Sequence, residues 1–262
     1  GFSERPVAEE YESLGDMIVA ASLDALSRVK IKMAPIEHII VATNTAEQPF
    51  PNIAGYVQDR LKKERSDCID PRAGFSDSGA GCGGINIALM YADALIKSGT
   101  FKTVLVAGGE KLTSVTNYAD RSTCILFGDA VSAYPMTYID GPGGFIGHSV
   151  RGDGSQRNLI SCPIKEKVAL YDALRAVEEG TKPKISVGRT LVMEGAKVFE
   201  YVIEEWKELI KTFEHNTRLN PNGLKFEDID CISPHMANIR MFENIDRKQF
   251  RGFLKKVGLD NG

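Results

Sequence analysis

Apolar residues follow two alternating spacings along the chain, one typical of helices and one typical of buried strands. Residues 14–29 place apolar side chains on one helical face behind a capping-box-like start at Ser13. Ile36–Thr43 and Thr103–Ala107 are apolar runs typical of buried strands, and residues 84–98 predict a largely buried helix. This alternation of helices and strands predicts an α/β fold.

The second half of the chain repeats this pattern. Leu191–Phe213 carries a broad apolar stripe that predicts a long helix, and Ile229–Ile232 is predicted to be a strand. The stretch 226–235 echoes residues 34–41, which indicates two similarly built halves. A glycine-rich turn at residues 141–144 marks the predicted boundary between them.

Composition narrows the class of protein. The 262 residues carry 32 Lys and Arg against 35 Asp and Glu without a block of one sign, which argues against nucleic-acid or membrane-surface binding. No apolar stretch approaches the roughly 18 residues of a membrane span. The five cysteines are widely spaced and form no CxxC pair, so we expect a reducing compartment rather than disulfides or a zinc site. The first residues contain neither an initiator Met nor an apolar signal core, so we expect a trimmed chain.

Cys82 is the first candidate for chemistry. It stands between glycines just before the predicted helix at residue 84, where unpaired amides and the helix dipole are expected to lower a thiol pKa. The flanking glycines would let a substrate carbonyl approach the sulfur and let backbone amides face an oxyanion. The alternative is that Cys82 is an inert small hydrophobic residue.

The same stretch also matches a dinucleotide-binding fingerprint. Gly79, Gly81 and Gly84 have the GxGxxG spacing, and Glu110 stands where an acid could bind a ribose. The fingerprint requires a hydrophobic strand directly before it, whereas residues 74–78 are mostly small and polar. An NAD-dependent dehydrogenase is therefore the weaker alternative.

His235 and Arg121 are further candidates. His235 follows the predicted strand 229–232, at a strand end where side chains of α/β folds meet ligands, although a surface-loop histidine is the alternative. Arg121 is the second residue of a stretch, 120–130, in which we expect a polar start, a short apolar strand and a Gly-Asp turn. Its guanidinium could bind a phosphate or form a simple ion pair.

Taken together, these motifs resemble beta-ketoacyl-acyl carrier protein synthase III, a family of thiolase-like condensing enzymes. The resemblance runs in order over essentially the whole chain. It rests on Ala80-Gly81-Cys82-Gly83-Gly84, Asp120-Arg121-Ser122-Thr123, Leu126-Phe127-Gly128-Asp129, Asp153-Gly154-Ser155, Met193-x-Gly195 and His235-Met236-Ala237-Asn238-Ile239-Arg240.

The resemblance implies a thiolase-like fold of five layers, α/β/α/β/α, with two related halves. These would span residues 1–145, carrying the nucleophile, and residues 146–262, an incomplete half carrying the catalytic histidine. It also implies a cytoplasmic homodimer that uses acyl-CoA and malonyl-acyl carrier protein as substrates, without a metal or other cofactor.

The resemblance further implies roles for individual residues. Cys82 would be acylated by an acyl-CoA primer and then attacked by the carbanion formed when malonyl-acyl carrier protein loses CO2. His235 would hydrogen-bond the malonyl thioester carbonyl together with an Asn from a later segment. The substrate-binding residues would be Arg121 at the entrance for CoA, Gly195 and Phe199 along the pantetheine tunnel, and Asn238 and Arg240.

The chain departs from the family pattern at several positions. Gly83 and Ile85 replace residues that are usually Ala or Ser and aromatic, so the acyl pocket could take an unusual primer. The chain stops at Gly262, before the expected Asn-Thr-Ser segment. Two further alternatives therefore stay open: an acyltransferase to a nitrogen or oxygen acceptor, and a non-catalytic subunit that only binds a partner.

Overall fold

The computed structural model describes residues 4–141, 143–215, 223–225, 228–231, 233 and 235. The chain forms two compact units, Gly1–Gly141 with Cys162–Leu191, and Pro142–Ser161 with Val192–Gly262. The predicted division into related halves at residues 145 and 146 stays a prediction.

Helices and strands alternate up to residue 111, and after it several strands follow one another before the next helix. The helices are α1 (Leu14–Ser27), α2 (Ile53–Glu64), α3 (Gly84–Lys97), α4 (Leu170–Glu179) and α5 (Gly195–His215). The strands are β1 (Ile36–Ala42), β2 (Ile69–Ser78), β3 (Thr103–Lys111), β4 (Asp129–Thr137), β5 (Ile160–Ser161), β6 (Ile164–Val168), β7 (Ile185–Arg189) and β8 (Val192–Met193). The predicted elements at α1, β1, α3 and β3 are confirmed.

The first unit is built on a four-stranded sheet in the order β2-β1-β3-β4. The strand β1 pairs in parallel with β2 and β3, and β4 closes the described sheet antiparallel to β3. The strands β6 and β7, which are separated in sequence by α4, form a two-stranded antiparallel sheet in this unit.

Helices cover both faces of this sheet. The side chains of Ile39 and Leu105 pack with those of α1 and α2, whereas Ile40 and Val104 on the same two strands pack against α3. Because successive residues of a strand face opposite sides, continuous apolar runs such as β1 can line two cores at once. The result is a three-layer α/β/α unit.

The helix α1 begins as its sequence predicts. The Ser13 hydroxyl oxygen accepts a hydrogen bond of 3.0 Å from the Asp16 amide and donates one of 2.7 Å to the Asp16 carboxylate. A side chain at this position satisfies an amide that the helix itself leaves unpaired.

A buried carboxylate ties the N-terminal segment to the sheet. The Asp129 side chain accepts hydrogen bonds from the amide of Ala8 at 2.9 Å, and from the amide and hydroxyl of Thr113 at 3.0 and 2.8 Å. The Asp129 amide donates to the carbonyl of Pro6 at 2.9 Å. The Phe-Gly-Asp motif therefore has a structural role in joining these three segments.

We expect Asp129→Asn to lower the free energy of unfolding by about 2 kcal/mol. The NH2 group that replaces one carboxylate oxygen would face the N–H and O–H groups that now donate to Asp129, and these groups would lose an acceptor in a buried site. Urea unfolding of the variant measures this change. Asp24→Asn is the control, since Asp24 forms an exposed ion pair with Arg28 and should change stability by at most about 0.5 kcal/mol. Equal effects of the two substitutions would contradict the prediction.

The second unit contains a short antiparallel pair and a long helix. Residues 192–193 pair with residues 160–161 as β8 and β5, so α5 begins at Gly195 rather than at the predicted Leu191. The prediction of a strand at 229–232 is wrong for the residues described there. Asp228 instead lies in a turn, where its carboxylate accepts a 2.8 Å hydrogen bond from the Lys225 amide.

Among the described residues, no helix combines the length and the apolar character needed to cross a membrane.

Candidate active site

Cys82 lies in a tight turn between β2 and α3. A 3-10 turn spans Gly81–Gly83, and α3 begins directly afterwards at Gly84. A strand does precede Gly79, since β2 extends to Ser78, but residues 74–78 are mostly small and polar rather than hydrophobic. Within the described sheet β2 is an edge strand and is buried only in part, so small and polar side chains are compatible with it.

The backbone of this turn depends on glycine. Gly81 has a φ of +57°, in the left-handed region that residues with a Cβ rarely adopt. A Cβ added at Gly84 would lie 3.5 Å from the Cβ of Ala42, the last residue of β1. The turn therefore sits at the carboxyl end of β1, the edge at which open α/β sheets bind ligands.

The environment of Cys82 raises the pKa of its thiol. Although the side chain is exposed on one side, the surrounding protein removes part of its hydration, which disfavours the thiolate. The Glu110 carboxylate adds a repulsive charge, and the Cys82 backbone amide acts weakly in the opposite direction. The expected lowering by the helix N-terminus is thus outweighed in this structure.

We expect Cys82 to react with iodoacetamide with a pH midpoint above the value of about 8.5 that is usual for cysteine, because only the thiolate attacks. Peptide mass analysis of alkylation at a series of pH values measures this midpoint separately for each thiol. The same peptide in urea-unfolded protein is the control. A folded-state midpoint at or below that of the unfolded chain would contradict the prediction.

Arg121 projects from a turn organised by Asp120. The Asp120 carboxylate accepts hydrogen bonds from the amide and hydroxyl of Ser122 at 2.9 and 2.6 Å, and from the Thr123 hydroxyl at 2.9 Å. These contacts, that of the Ser122 hydroxyl first, lower the pKa of Asp120. The short apolar strand predicted ahead of the Gly-Asp pair at residues 128–129 is wrong: residues 121–126 form turns, and the Arg121 side chain is exposed.

The remaining candidates lie in the second unit. His235 is exposed, Gly195 is the first residue of α5, and Phe199 is half-buried on that helix. Asn238 and Arg240 lie outside the described residues. That His235 and Cys82 act at one site stays a prediction.

The sequence alone did not connect the polar loop after β1 with the Cys82 turn, which the loop contacts through Asn44. The residues of this loop that follow β1 are Thr43, Asn44 and Thr45. Their side chains donate hydrogen bonds to the carboxylate of Glu110, a residue near the carboxyl end of β3, at the same edge of the sheet. The signal was present, since polar residues directly after a buried strand are typical of a ligand-binding edge. Glu110 had been considered only as a ribose ligand.

Comparisons with known proteins point to the same family as the sequence motifs do. The profile of the family 3-oxoacyl-[acyl-carrier-protein (ACP)] synthase III matches residues 76–154, which include the Cys82 turn and the Asp120 segment. The beta-ketoacyl-[acyl-carrier-protein] synthase III of Ruegeria pomeroyi is 34% identical over 259 residues, 99% of this chain and 70% of that protein.

Solved structures with the same fold include two relatives of this kind. The beta-ketoacyl-[acyl carrier protein] synthase III of Thermus thermophilus matches with a TM-score of 0.74 and 28% identity, over 94% of this chain and 68% of that one. The priming beta-ketosynthase from the R1128 polyketide biosynthetic pathway matches with a TM-score of 0.70 and 28% identity, over 98% of this chain and 67% of that one. The predicted thiolase-like α/β fold is confirmed.

Proposed function

Because the chain belongs to the beta-ketoacyl-acyl carrier protein synthase III family, we propose that it joins an acyl-CoA primer to malonyl-acyl carrier protein by decarboxylative condensation. The product is a 3-ketoacyl-acyl carrier protein, the first intermediate of chain building in fatty-acid synthesis. The protein is an acyltransferase.

The reaction divides into two steps at the Cys82 sulfur. In the first, Sγ attacks the acyl-CoA carbonyl, the new C–S bond forms, and CoA leaves with a proton. In the second, malonyl-acyl carrier protein loses CO2, its carbanion attacks the acyl carbonyl, and Cys82 leaves as the thiolate. Splitting the transfer through a covalent thioester replaces one difficult step by two easier ones.

The observation that carries this proposal is the position of Cys82. Its glycine-flanked turn begins a helix at the carboxyl edge of a sheet, where Cys82 is an exposed residue. The first amides of a helix have no partner within the helix and can face an oxyanion. A buried structural cysteine would have neither property. This supports the nucleophile over the inert alternative.

The other site residues complete the proposal. Since the pKa of Cys82 is raised, acylation near neutral pH needs a base, and His235 is the candidate for accepting the thiol proton. In the second step His235 would hydrogen-bond the malonyl thioester carbonyl. The residues proposed to bind CoA or the pantetheine arm are Arg121, Gly195, Phe199, Asn238 and Arg240.

These steps use a thiolate and hydrogen bonds only, so we propose that no metal or organic cofactor takes part. We also propose that the enzyme acts in the cytoplasm as a homodimer. The strand β2 supports a dimer, because within the described residues it pairs only with β1 and exposes Phe75 beside its free edge. Sedimentation of the full-length protein tests this assembly.

The experiment that tests the reaction supplies the full-length protein with an acyl-CoA and malonyl-acyl carrier protein. We expect release of CO2 and one 3-ketoacyl-acyl carrier protein for each CoA freed. CoA release that requires an amine or alcohol and proceeds without loss of CO2 would instead establish the transfer to a nitrogen or oxygen acceptor. No CoA release with any primer would favour a non-catalytic subunit.

A second use of the same chemistry follows from the likeness to a priming beta-ketosynthase of a polyketide pathway. Parallel reactions with acyl carrier proteins of fatty-acid and polyketide type distinguish the two uses, since the faster carrier identifies the pathway class.

A further inference from the structure

The carboxylate of Glu110 collects donors from one short loop. Its oxygens accept hydrogen bonds from the Thr43 hydroxyl at 3.1 Å, the Thr45 hydroxyl at 2.5 Å, and the Asn44 amide at 2.9 and 3.1 Å. The side-chain nitrogen of Asn44 donates to Oε1 at 2.8 Å. Every one of these contacts requires an acceptor, which a carboxylate supplies on both oxygens.

Asn44 links this loop to the backbone of the Cys82 turn. Its Oδ1 accepts from the Gly81 amide at 3.4 Å, and its Nδ2 donates to the Gly81 carbonyl at 3.5 Å. Each contact is long and weak by itself, but the pair fixes both polar groups of the residue preceding Cys82. Because Nδ2 also donates to Glu110, the carboxylate determines which way the Asn44 amide points.

The loop is held from its other side as well. The Arg189 guanidinium donates to the Ala46 carbonyl at 2.7 Å and to the Asn44 carbonyl at 3.5 Å. The Thr43 amide donates to the Ser78 carbonyl at 3.1 Å, at the end of β2. These contacts restrict the loop backbone and leave Glu110 to set the Asn44 side chain.

We propose that Glu110 is a positioning residue for the acylation of Cys82, acting through Asn44 on the Gly81 backbone. The inference rests on the proposed function, because it assigns a further residue to the same reaction. Held in this way, the Cys82 sulfur and amide keep a fixed geometry toward an incoming thioester. Small displacements of a reacting group are costly in rate.

The sign of the charge supports positioning over electrostatic activation. A negative carboxylate near Cys82 disfavours the thiolate, so Glu110 opposes the nucleophile electrostatically. A group serving only to activate the sulfur would be neutral or positive. What Glu110 offers is its set of hydrogen bonds to the loop.

The test compares Glu110→Gln and Glu110→Asp in the full-length protein. For each variant we measure the single-turnover rate of Cys82 acylation by acetyl-CoA and the pH midpoint of Cys82 alkylation by iodoacetamide. Glu37→Gln is the matched control, because Glu37 accepts the amides of Lys102 and Thr103 at the opposite end of β1 and β3.

Glu110→Gln should lower both readouts, although a lower midpoint by itself would speed acylation. The midpoint falls because the repulsive charge is gone. Acylation nevertheless slows by about tenfold or more, because the NH2 group that replaces one carboxylate oxygen cannot accept the hydrogen bonds that the loop donates. Glu110→Asp keeps the charge but is too short to reach the loop, so acylation slows while the midpoint stays near the wild-type value. Glu37→Gln should leave both unchanged.

An acylation rate in Glu110→Gln equal to or above the wild-type rate would overturn the inference, as would an equal loss in Glu37→Gln. Thermal unfolding of all three variants separates loss of fold from loss of positioning. Asn44→Ala, which removes the link but keeps the carboxylate, should reproduce the slow acylation.

If even the wild type is not acylated by any acyl-CoA, the proposed function fails. The inference then fails separately if the alkylation rate of the Cys82 thiolate, at its pH plateau, is the same in Asn44→Ala and wild type.

Discussion

Replacing Cys82 by alanine is expected to lower the rate of condensation on the order of 10⁴-fold or more, because the variant has no atom that can carry the acyl group. Both steps of the reaction pass through this sulfur, so no second route to the 3-ketoacyl product remains. The measurement is the steady-state formation of 3-ketoacyl-acyl carrier protein from an acyl-CoA and malonyl-acyl carrier protein. Binding of acyl-CoA should persist, since the remainder of the site is unchanged.

Cys162→Ala provides the matched control. Cys162 is also exposed, and burial likewise raises the pKa of its thiol, but it lies between β5 and β6, away from a helix start. We expect this variant to retain the wild-type rate. A Cys82→Ala protein as active as Cys162→Ala would show that the covalent intermediate forms elsewhere.

The second large effect is expected at Gly108 in β3. A Cβ at this position would lie 2.1 Å from the carbonyl oxygen of Ala42 and 2.9 Å from the carbonyl carbon, both in the backbone of the adjacent strand. Backbone atoms of a paired strand cannot swing aside, so Gly108→Ala must separate β1 from β3. We expect Gly108→Ala to lower the free energy of unfolding by about 3 kcal/mol, which lowers the midpoint of thermal unfolding by about 6–12 °C.

Gly188→Ala is the control for this prediction. Gly188 also lies in a strand, β7, but the atom closest to its Cβ would be the Cε of Lys167 at 3.4 Å, the far end of a flexible side chain. We expect a change in the midpoint of at most about 2 °C. If the Gly108→Ala and Gly188→Ala proteins had the same midpoint of thermal unfolding, the result would contradict the close approach of β1 and β3.

The periodic apolar segments of the first unit could be predicted from the sequence alone. The strand β1 and the helices α1 and α3 lie within two residues of their predicted bounds, because each buries a continuous face that leaves a clear periodic signal. The position of Cys82 just before a helix could also be predicted, because its glycine neighbours mark the start of α3.

The errors have physical causes at particular residues. The strand β2 was not predicted, because an edge strand needs few apolar side chains and residues 74–78 are mostly small and polar. The turns around Thr123 were mistaken for a strand, since the hydrogen bonds of the Asp120 side chain are tertiary detail that an apolar run does not reveal. The pKa of Cys82 was expected to fall because the sequence shows neither the loss of hydration around this side chain nor the Glu110 carboxylate beside it, which is 28 positions away in sequence.

The most direct test of this account is the mass of one peptide. Full-length protein is mixed with short- and medium-chain acyl-CoA primers, quenched in acid and digested, and the peptide that contains Cys82 is weighed. We expect that peptide to gain one acyl group, removed again when malonyl-acyl carrier protein is added. A peptide that stays unmodified with every primer, although iodoacetamide alkylates the same thiol, would contradict the claim that Cys82 is the nucleophile.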